Sequence, residues 1–95
     1  MAITVGVLLW ARPGTADDLT AYEDRVLALL VDHSGRVDAR IRSTEPEAPT
    51  ELQVITFVDN AGYDSYLSDP RRIAEADERD RVIARTQLFR GDRLG

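Results

Sequence analysis

The stretch from residue 51 to residue 83 restricts the fold of this chain most, because its pattern changes from strand to helix. Residues 51–58 read E-L-Q-V-I-T-F-V, a segment rich in β-branched and aromatic residues that predicts a β-strand. The next four residues, D-N-A-G, combine turn formers with residues that commonly cap helices. A hydrophobic strand therefore leads directly into a helix.

The segment after this turn predicts two helical pieces separated by a proline. A short helix near residues 61–68 is indicated by large side chains at helical spacing, namely Tyr63, Tyr66 and Leu67. Asp69 followed by Pro70 is typical of a new helix start, since aspartate caps helices and proline suits the first helical position. We expect this second helix near residues 70–84, with a thin apolar stripe of Ile73, Ala76, Val82 and Ile83.

The first strand is predicted at residues 3–10 and is apolar on both faces. Its odd positions form one aliphatic row of Ile3, Val5, Val7 and Leu9. Leu8 and Trp10 make the opposite row large and apolar as well. A strand that is apolar on both faces is covered on both. Helices cover one face of a small α+β sheet, so we expect a second copy of the chain on the other. Gly6 weakens such a strand unless another group approaches it closely.

The first helix is predicted over residues 16–33. Its apolar stripe recurs at helical spacing and consists of Leu19, Tyr22, Val26, Leu29 and Leu30. Thr15 is a good N-cap, and Gly35 suits the position just beyond the helix end. His33, the one histidine of the chain, falls in the last turn, where the helix dipole favours a cation. An acid–base role for this imidazole is the alternative.

The other segments complete a β-α-β-β-α-β order. Residues 36–43 alternate apolar and charged side chains, as in a strand near a sheet edge. Residues 45–50 form a polar connector with two prolines, and residues 86–90 form a short final strand. This order predicts a single α+β domain over residues 1–95, with a ferredoxin-like, antiparallel four-stranded sheet.

Composition disfavours several classes of function. The chain has no cysteine, which excludes disulfides and thiolate chemistry. Its formal net charge of −5 disfavours nucleic acid as a partner. No apolar run approaches the length of a membrane span, and no basic region precedes the first apolar segment, so we expect a cytoplasmic protein without membrane contact. The sequence contains no metal-ligand cluster or phosphate-binding glycine loop, so we expect no metal and no cofactor.

One motif resembles a known superfamily. The strand end F-V-D-N at residues 57–60 is followed by Y-D-S-Y-L-S-D-P at residues 63–70. This layout resembles the dimeric α+β barrel superfamily, which includes antibiotic-biosynthesis monooxygenases, stress-responsive-barrel polyketide cyclases and small uncharacterised members. By element order the resemblance covers nearly the whole chain. It implies a homodimer in which two ferredoxin-like protomers pack sheet on sheet, each with a site between its helices and its sheet.

The resemblance also implies an activity and a set of site residues. It points to a cofactor-independent enzyme acting on a small aromatic or polyketide-like molecule, by monooxygenase-type oxidation first and by cyclisation or isomerisation next. The catalytic candidates are Tyr66, Asn60, His33 and Arg72, and the substrate-binding candidates are Trp10, Tyr22, Phe57, Tyr63 and Phe89. The histidine of the cyclases has no counterpart, because an arginine stands two residues after the proline.

Structural roles compete with each of these assignments. Asn60 is also suited to capping the helix, Tyr63 and Tyr66 to covering the sheet, and Trp10 to core or dimer packing. Arg72 and Arg79 are either solvated helix residues or partners for a substrate carboxylate or enolate oxygen. The alternative function is therefore a non-catalytic dimeric module that binds a small ligand or only assembles.

Overall fold

The computed structural model describes residues 1–95 and follows the expected element order. The strands are β1 (Ile3–Ala11), β2 (Gly35–Arg42), β3 (Glu51–Phe57) and β4 (Ile83–Gly91). The helices are α1 (Ala16–Leu27), continued by a 3₁₀ helix (Ala28–His33), then α2 (Asn60–Leu67), α3 (Pro70–Ile73) and α4 (Ala76–Val82). The four strands form one antiparallel sheet in the order β2-β3-β1-β4. The ferredoxin-like fold is therefore confirmed, and β2 lies at a sheet edge as expected.

The inner face of the sheet forms the core with the helices. The odd-numbered row of β1 is buried there, at Val5, Val7 and Leu9. It joins one apolar cluster with residues of α1 and α2, including Leu19, Tyr22, Val26 and Tyr66. The stripe predicted for the first helix thus packs on the sheet, although the last part of that helix tightens into a 3₁₀ turn. Such tightening is common where a helix ends.

The outer face of the sheet carries the second apolar row and has no helix over it. Its apolar side chains come from all four strands: Leu8, Trp10, Ala39, Ile41, Leu52, Val54 and Phe89. Ile41 remains 57% exposed and Phe89 remains 59% exposed. A Cβ on Gly6 would lie 2.7 Å from Cζ of Phe89, which is closer than real contacts allow. The expected close approach at Gly6 is therefore the aromatic ring of the neighbouring strand.

The region around Pro70 shows the predicted break and one unpredicted one. Asp69 caps α3 by accepting a hydrogen bond from the Arg71 backbone N–H, and Pro70 occupies the first turn. The expected helix over residues 70–84, however, is divided at Ala74 and Glu75. A tight turn there, with the Glu75 N–H donating to the Arg72 carbonyl at 3.1 Å, shifts the helical phase.

The predicted apolar stripe of this region is correct only at its end. Ile73 is 57% exposed, because the turn after it rotates its side chain away from the core. Val82 is buried and ends α4. Ile83 already belongs to β4, where it pairs with Ala11, so sheet pairing ends the helix earlier than its sequence pattern indicates. None of the helices is long and apolar enough to cross a membrane.

The residues found at the helix ends differ in their roles from those expected at three places. Asp59 caps α2 by accepting a hydrogen bond of 2.9 Å from the Gly62 N–H, so Asn60 is the first helical residue rather than the cap. The Thr15 side chain makes no cap hydrogen bond and donates instead to the Arg12 carbonyl at 2.8 Å. Ser34 adopts the left-handed conformation after the 3₁₀ helix, with φ of 56°, where Gly35 was expected to reverse the chain. A serine tolerates this conformation less readily than glycine does.

Candidate functional site

A cavity of about 80 Å³ lies between the helices and the inner face of the sheet. Its walls are mainly apolar and include Val7, Ile55, Phe57, Tyr63, Leu67 and Leu88. Its polar lining comes from six different elements: Glu23, Gln53, Tyr66, Arg72, Arg79 and Thr86. An apolar cavity with a few convergent polar groups is the usual form of a small-molecule site.

A buried polar cluster, Glu23–Gln53–Glu51, adjoins this cavity, and its first two members line it. The Gln53 side-chain amide donates to Glu23 Oε1 at 2.7 Å and to Glu51 Oε2 at 2.6 Å. Arg40 closes the outer end by donating from Nε to Glu51 Oε2 at 2.8 Å and by pairing with Asp24. Glu51 is therefore neutralised by a guanidinium, whereas Glu23 receives a neutral amide donor.

Glu23 occupies a position of α1 for which the helical pattern predicts an apolar residue. It lies one turn after Leu19 on the buried face of α1, and its side chain remains 7% exposed. Burial raises the pKa of the Glu23 carboxyl above its ordinary value. The hydrogen bond from Gln53 opposes this shift, and the nearby Glu51 carboxylate adds to it. A carboxyl group with a raised pKa in a cavity is a stronger base than an ordinary glutamate and is a candidate for proton transfer.

Arg72 brings a positive charge to the same cavity. Its guanidinium carbon lies 5.0 Å from the centre of the Tyr66 ring, which is a cation–π contact. Its Nε is buried and has no hydrogen-bond partner in the protein. Arg79 contributes a second guanidinium, whose Nη2 makes a long hydrogen bond of 3.3 Å to Thr86 Oγ1. Arg72 therefore keeps unused donor capacity toward the cavity.

Tyr66 lines the cavity, but its hydroxyl makes a hydrogen bond within the protein core. The hydroxyl donates to the Val26 carbonyl at 3.2 Å, which ties α2 to α1 in the core. Burial raises the pKa of this phenol. Its ring lies 5.8 Å from the ring of Phe57, and Tyr63 packs edge-on to the same ring at 5.3 Å. Both tyrosines thus contact the sheet as predicted, and Tyr66 supplies a surface to the cavity rather than a free hydroxyl.

His33 forms a separate hydrogen-bonded group outside the cavity lining. Its Nδ1 lies 2.7 Å from Ser65 Oγ, and its Nε2 lies 2.7 Å from Asp69 Oδ2. Hydrogen bonds from Arg71 and His33 hold the pKa of the Asp69 carboxyl well below its usual range. These contacts connect the 3₁₀ helix to α2 and to the start of α3. They explain the position of His33 without involving the cavity.

The structure brings together four of the nine residues proposed for the site. Phe57, Tyr63, Tyr66 and Arg72 line the cavity. The other five proposed residues lie outside the lining of this cavity: Asn60, His33, Trp10, Tyr22 and Phe89. Trp10 and Phe89 lie on the outer face of the sheet, where Arg85 stacks 4.3 Å from the Trp10 ring centre. Asn60 is exposed at the start of α2, and Tyr22 is buried in the core.

Sequence reasoning missed Glu23, Gln53 and Thr86 as lining residues. A signal existed for the first two, because each is a polar residue on a face that is otherwise apolar. Glu23 interrupts the stripe of α1, and Gln53 shares the inner face of β3 with Ile55 and Phe57. The chain contains no group of three or more histidine, aspartate or glutamate side chains placed to hold a metal ion.

The chain shares its ferredoxin-like fold with several solved structures. No family model matches the sequence, and no curated protein matches it as a relative. The solved structures that resemble it include a protein from Pseudomonas aeruginosa, with a TM-score of 0.78, 13% identity and coverage of 99% of this chain and 95% of that one. A dabb family protein with a ferredoxin-like fold from Mesorhizobium loti gives a TM-score of 0.71 and 15% identity, covering 99% of this chain and 98% of that one.

A third similar structure has a name that includes an activity. It is a presumed antibiotic biosynthesis monooxygenase from Bacteroides thetaiotaomicron, with a TM-score of 0.74 and 15% identity, covering 98% of this chain and 90% of that one. At such identities the likeness establishes the fold and leaves the chemistry to the residues of this chain.

Proposed function

We propose that this protein is a cofactor-independent enzyme that moves a proton on a small, enolisable aromatic or polyketide-like molecule. One observation carries the proposal: Glu23, a buried carboxyl residue, and Arg72, which takes part in no ion pair and whose Nε has no partner, line the same cavity. A group that can take a proton and a group that can stabilise the resulting oxyanion are the two components that enolisation requires.

Each of these two groups has one role in the proposed reaction. Glu23 accepts a proton from the carbon or oxygen acid of the substrate, and Arg72 donates a hydrogen bond to the enolate oxygen. A positioned acid or base contributes typically about 10²–10⁴-fold in rate. The enolate can then react with dioxygen, as a cofactor-free monooxygenase requires, or with an electrophilic carbon of the same molecule, as a cyclase requires.

The volume of the cavity limits what enters it. An engineered cavity of about 150 Å³ holds one benzene molecule, so about 80 Å³ is too small for an aromatic ring. We therefore place only the oxygen-bearing end of the substrate between Glu23 and Arg72. The ring lies at the opening, against the partly exposed side chains of Leu67 and Leu88.

We further propose that the enzyme is a homodimer. The apolar outer face of the sheet supports this, because no part of the chain covers Ile41 or Phe89. A two-fold arrangement buries the same row of each copy against its counterpart. The partner does not reach the Glu23 cavity in this arrangement, since that cavity lies on the inner face.

The rival function is a non-catalytic ligand-binding module. Two observations favour a binding module over an enzyme that uses a tyrosine or a histidine. The Tyr66 hydroxyl and both His33 nitrogens already make hydrogen bonds within the protein. The proposed enzyme uses neither group. The presumed monooxygenase from Bacteroides thetaiotaomicron supports oxidation as the first reaction to examine.

Proton exchange provides a direct test. In D₂O, the wild-type protein should speed loss of the α-proton signal in a panel of keto acids, arylacetic acids, β-diketones and aryl ketones, followed by ¹H NMR. Glu23→Gln should slow that exchange by about 10²-fold or more, while Glu47→Gln, in the exposed connector, should leave it unchanged. Binding of panel members without accelerated exchange would support the non-catalytic module, and equal rates for Glu23→Gln and wild type would remove Glu23 from the chemistry.

A further inference from the structure

We propose that the ligand of this cavity carries a carboxylate and that Arg72 is the residue that binds it. The inference rests on the proposed function, because it concerns the substrate of the same cavity, and it adds a charge requirement that proton transfer alone does not impose.

The state of Arg72 is the first observation. Most guanidinium groups of the chain pair with a carboxylate, but Arg72 takes part in no ion pair. Its Nε is buried without a hydrogen-bond partner. Buried polar groups in folded proteins are nearly always paired, so an unpaired donor on a residue that lines a cavity points to an acceptor that the chain does not supply.

The Tyr66 ring provides only part of the interactions that the Arg72 guanidinium can make. The ring centre lies 5.0 Å from the guanidinium carbon, which is a cation–π contact. Arginine carries five N–H donors in one plane, where two parallel bonds to one carboxylate fit best. The aromatic contact therefore does not replace a carboxylate partner for Arg72.

The charges around the cavity also favour an anion. Arg72 and Arg79 both line it, and neither takes part in an ion pair. Glu51, in the adjoining polar cluster, is paired with Arg40. Glu23 is the one carboxyl group that lines the cavity beside the guanidinium groups of Arg72 and Arg79. Even with Glu23 ionised, positive groups therefore outnumber negative ones in the lining, in a chain whose net charge is −5. A substrate carboxylate balances that charge.

The size of the cavity suits this head group. About 80 Å³ accommodates a carboxylate and a few carbon atoms, with any ring outside at the opening. An α-carbon next to the carboxylate or to a second carbonyl then lies within the same small space as Glu23. The substrate class is accordingly a small keto acid or aryl-substituted acid rather than a neutral quinone or ketone.

Paired probes of the same shape test the charge requirement. Binding of benzoate and benzamide, and of propanoate and propanamide, would be measured by NMR titration of the isotope-labelled protein. We expect each carboxylate to bind wild type about ten- to a hundredfold more tightly than its amide, the range for hydrogen bonds to charged groups. Arg72→Gln should abolish this preference, and Arg72→Lys should retain part of it because it keeps the charge without the fork.

Arg42→Gln is the matched control, since it removes one positive charge from an exposed pair with Asp17, away from the cavity. Equal affinity for acid and amide, no binding of either carboxylate, or unchanged benzoate affinity in Arg72→Gln would each overturn the inference. The result is independent of proton exchange: loss of exchange in Glu23→Gln with no carboxylate preference refutes only the charge requirement. Carboxylate preference without exchange refutes only the enzyme.

Discussion

The side-chain amide of Gln53 donates a hydrogen bond of 2.7 Å to the carboxyl of Glu23 in the interior of the protein. Because the donor is neutral, this contact orients the carboxyl group without supplying the positive charge that would keep it ionised. Glu51, which accepts from the same amide, forms an ion pair with Arg40. Two glutamates that share one amide therefore have different electrostatic surroundings, and only Glu23 faces the cavity.

The first prediction concerns stability and pH. A carboxyl whose pKa is raised by folding stabilises the protein most below its unfolded pKa of about 4.3, and that contribution is lost as pH rises through the folded pKa. Burial raises the pKa of Glu23. Glu23→Gln should therefore be more stable than wild type at neutral pH, with the difference shrinking as pH falls toward 4. Urea unfolding across this range measures it, and a gap that widens on acidification would contradict it.

The second prediction separates the cap of α2 from its first residue. Asp59 accepts the hydrogen bond from the Gly62 N–H, whereas Asn60 is exposed and caps nothing. Asp59→Ala should lower the free energy of unfolding by about 1 kcal/mol, the usual effect of losing a cap. Asn60→Ala should change it by less than about 0.5 kcal/mol, as at most surface positions. Chemical denaturation of the two variants compares them, and the reverse order would assign the cap to Asn60.

The third prediction concerns Tyr66. Its hydroxyl donates to the Val26 carbonyl in the core, so Tyr66→Phe removes a buried hydrogen bond and keeps the ring over which Arg72 lies. We expect a loss of about 0.5–1.5 kcal/mol in unfolding free energy. Ligand affinity and proton exchange should stay at wild-type values. A fall in exchange rate of tenfold or more with unchanged stability would instead make the hydroxyl part of the chemistry.

The element order of this fold could be predicted from sequence because each element has a local signal. Asp69 and Pro70 mark the start of α3, and the alternation in residues 36–43 marks an edge strand. The resemblance to dimeric α+β barrels relied on the same local features, at residues 57–60 and 63–70. These signals depend on neighbouring residues and need no knowledge of the tertiary structure.

The faces of the strands could not be predicted in the same way. Both rows of β1 are apolar, and Leu88 and Phe89 are adjacent large side chains in β4. Alternation alone therefore does not say which row faces the helices, and it could not show that Trp10 and Phe89 lie on the outer face, opposite the cavity. The pairing of Gly6 with Phe89 settles the question, but it is a contact between residues far apart in the sequence.

The polar residues of the cavity were missed for a different reason. Pattern analysis treats a charged residue on an apolar stripe as an exception, yet Glu23 and Gln53 are buried together because each supplies the other's hydrogen-bond partner. That compensation exists only after α1 packs on β3. A glutamate on the apolar stripe of a helix and a glutamine on the inner row of a strand are together a signal for a buried hydrogen-bonded pair.

The fourth prediction is that the protein forms a dimer through the outer face of the sheet. Val54 lies at the middle of that face, on a central strand between Gly6 and Ala39. Fully burying one such side chain is worth about 1.5–3 kcal/mol, and a buried unpaired charge is strongly unfavourable. Val54→Asp should therefore weaken association by at least about tenfold while the fold persists. Val5→Asp is unsuitable for this purpose, because Val5 is buried against the helices and its substitution would unfold the chain.

Analytical ultracentrifugation at micromolar concentration distinguishes the outcomes. Wild type should sediment with twice the 10.6 kDa mass of one chain, and Val54→Asp should shift toward the monomer. Ile73→Asp is the matched control, since it places the same charge on an exposed aliphatic position of α3, on the helical side. It should remain dimeric, with unchanged circular dichroism. A wild-type monomer that stays folded and soluble would mean that the outer face tolerates water, and the proposed dimer would then be wrong. The cavity lies on the inner face, so the tests of Glu23 and Arg72 would be unaffected by that result.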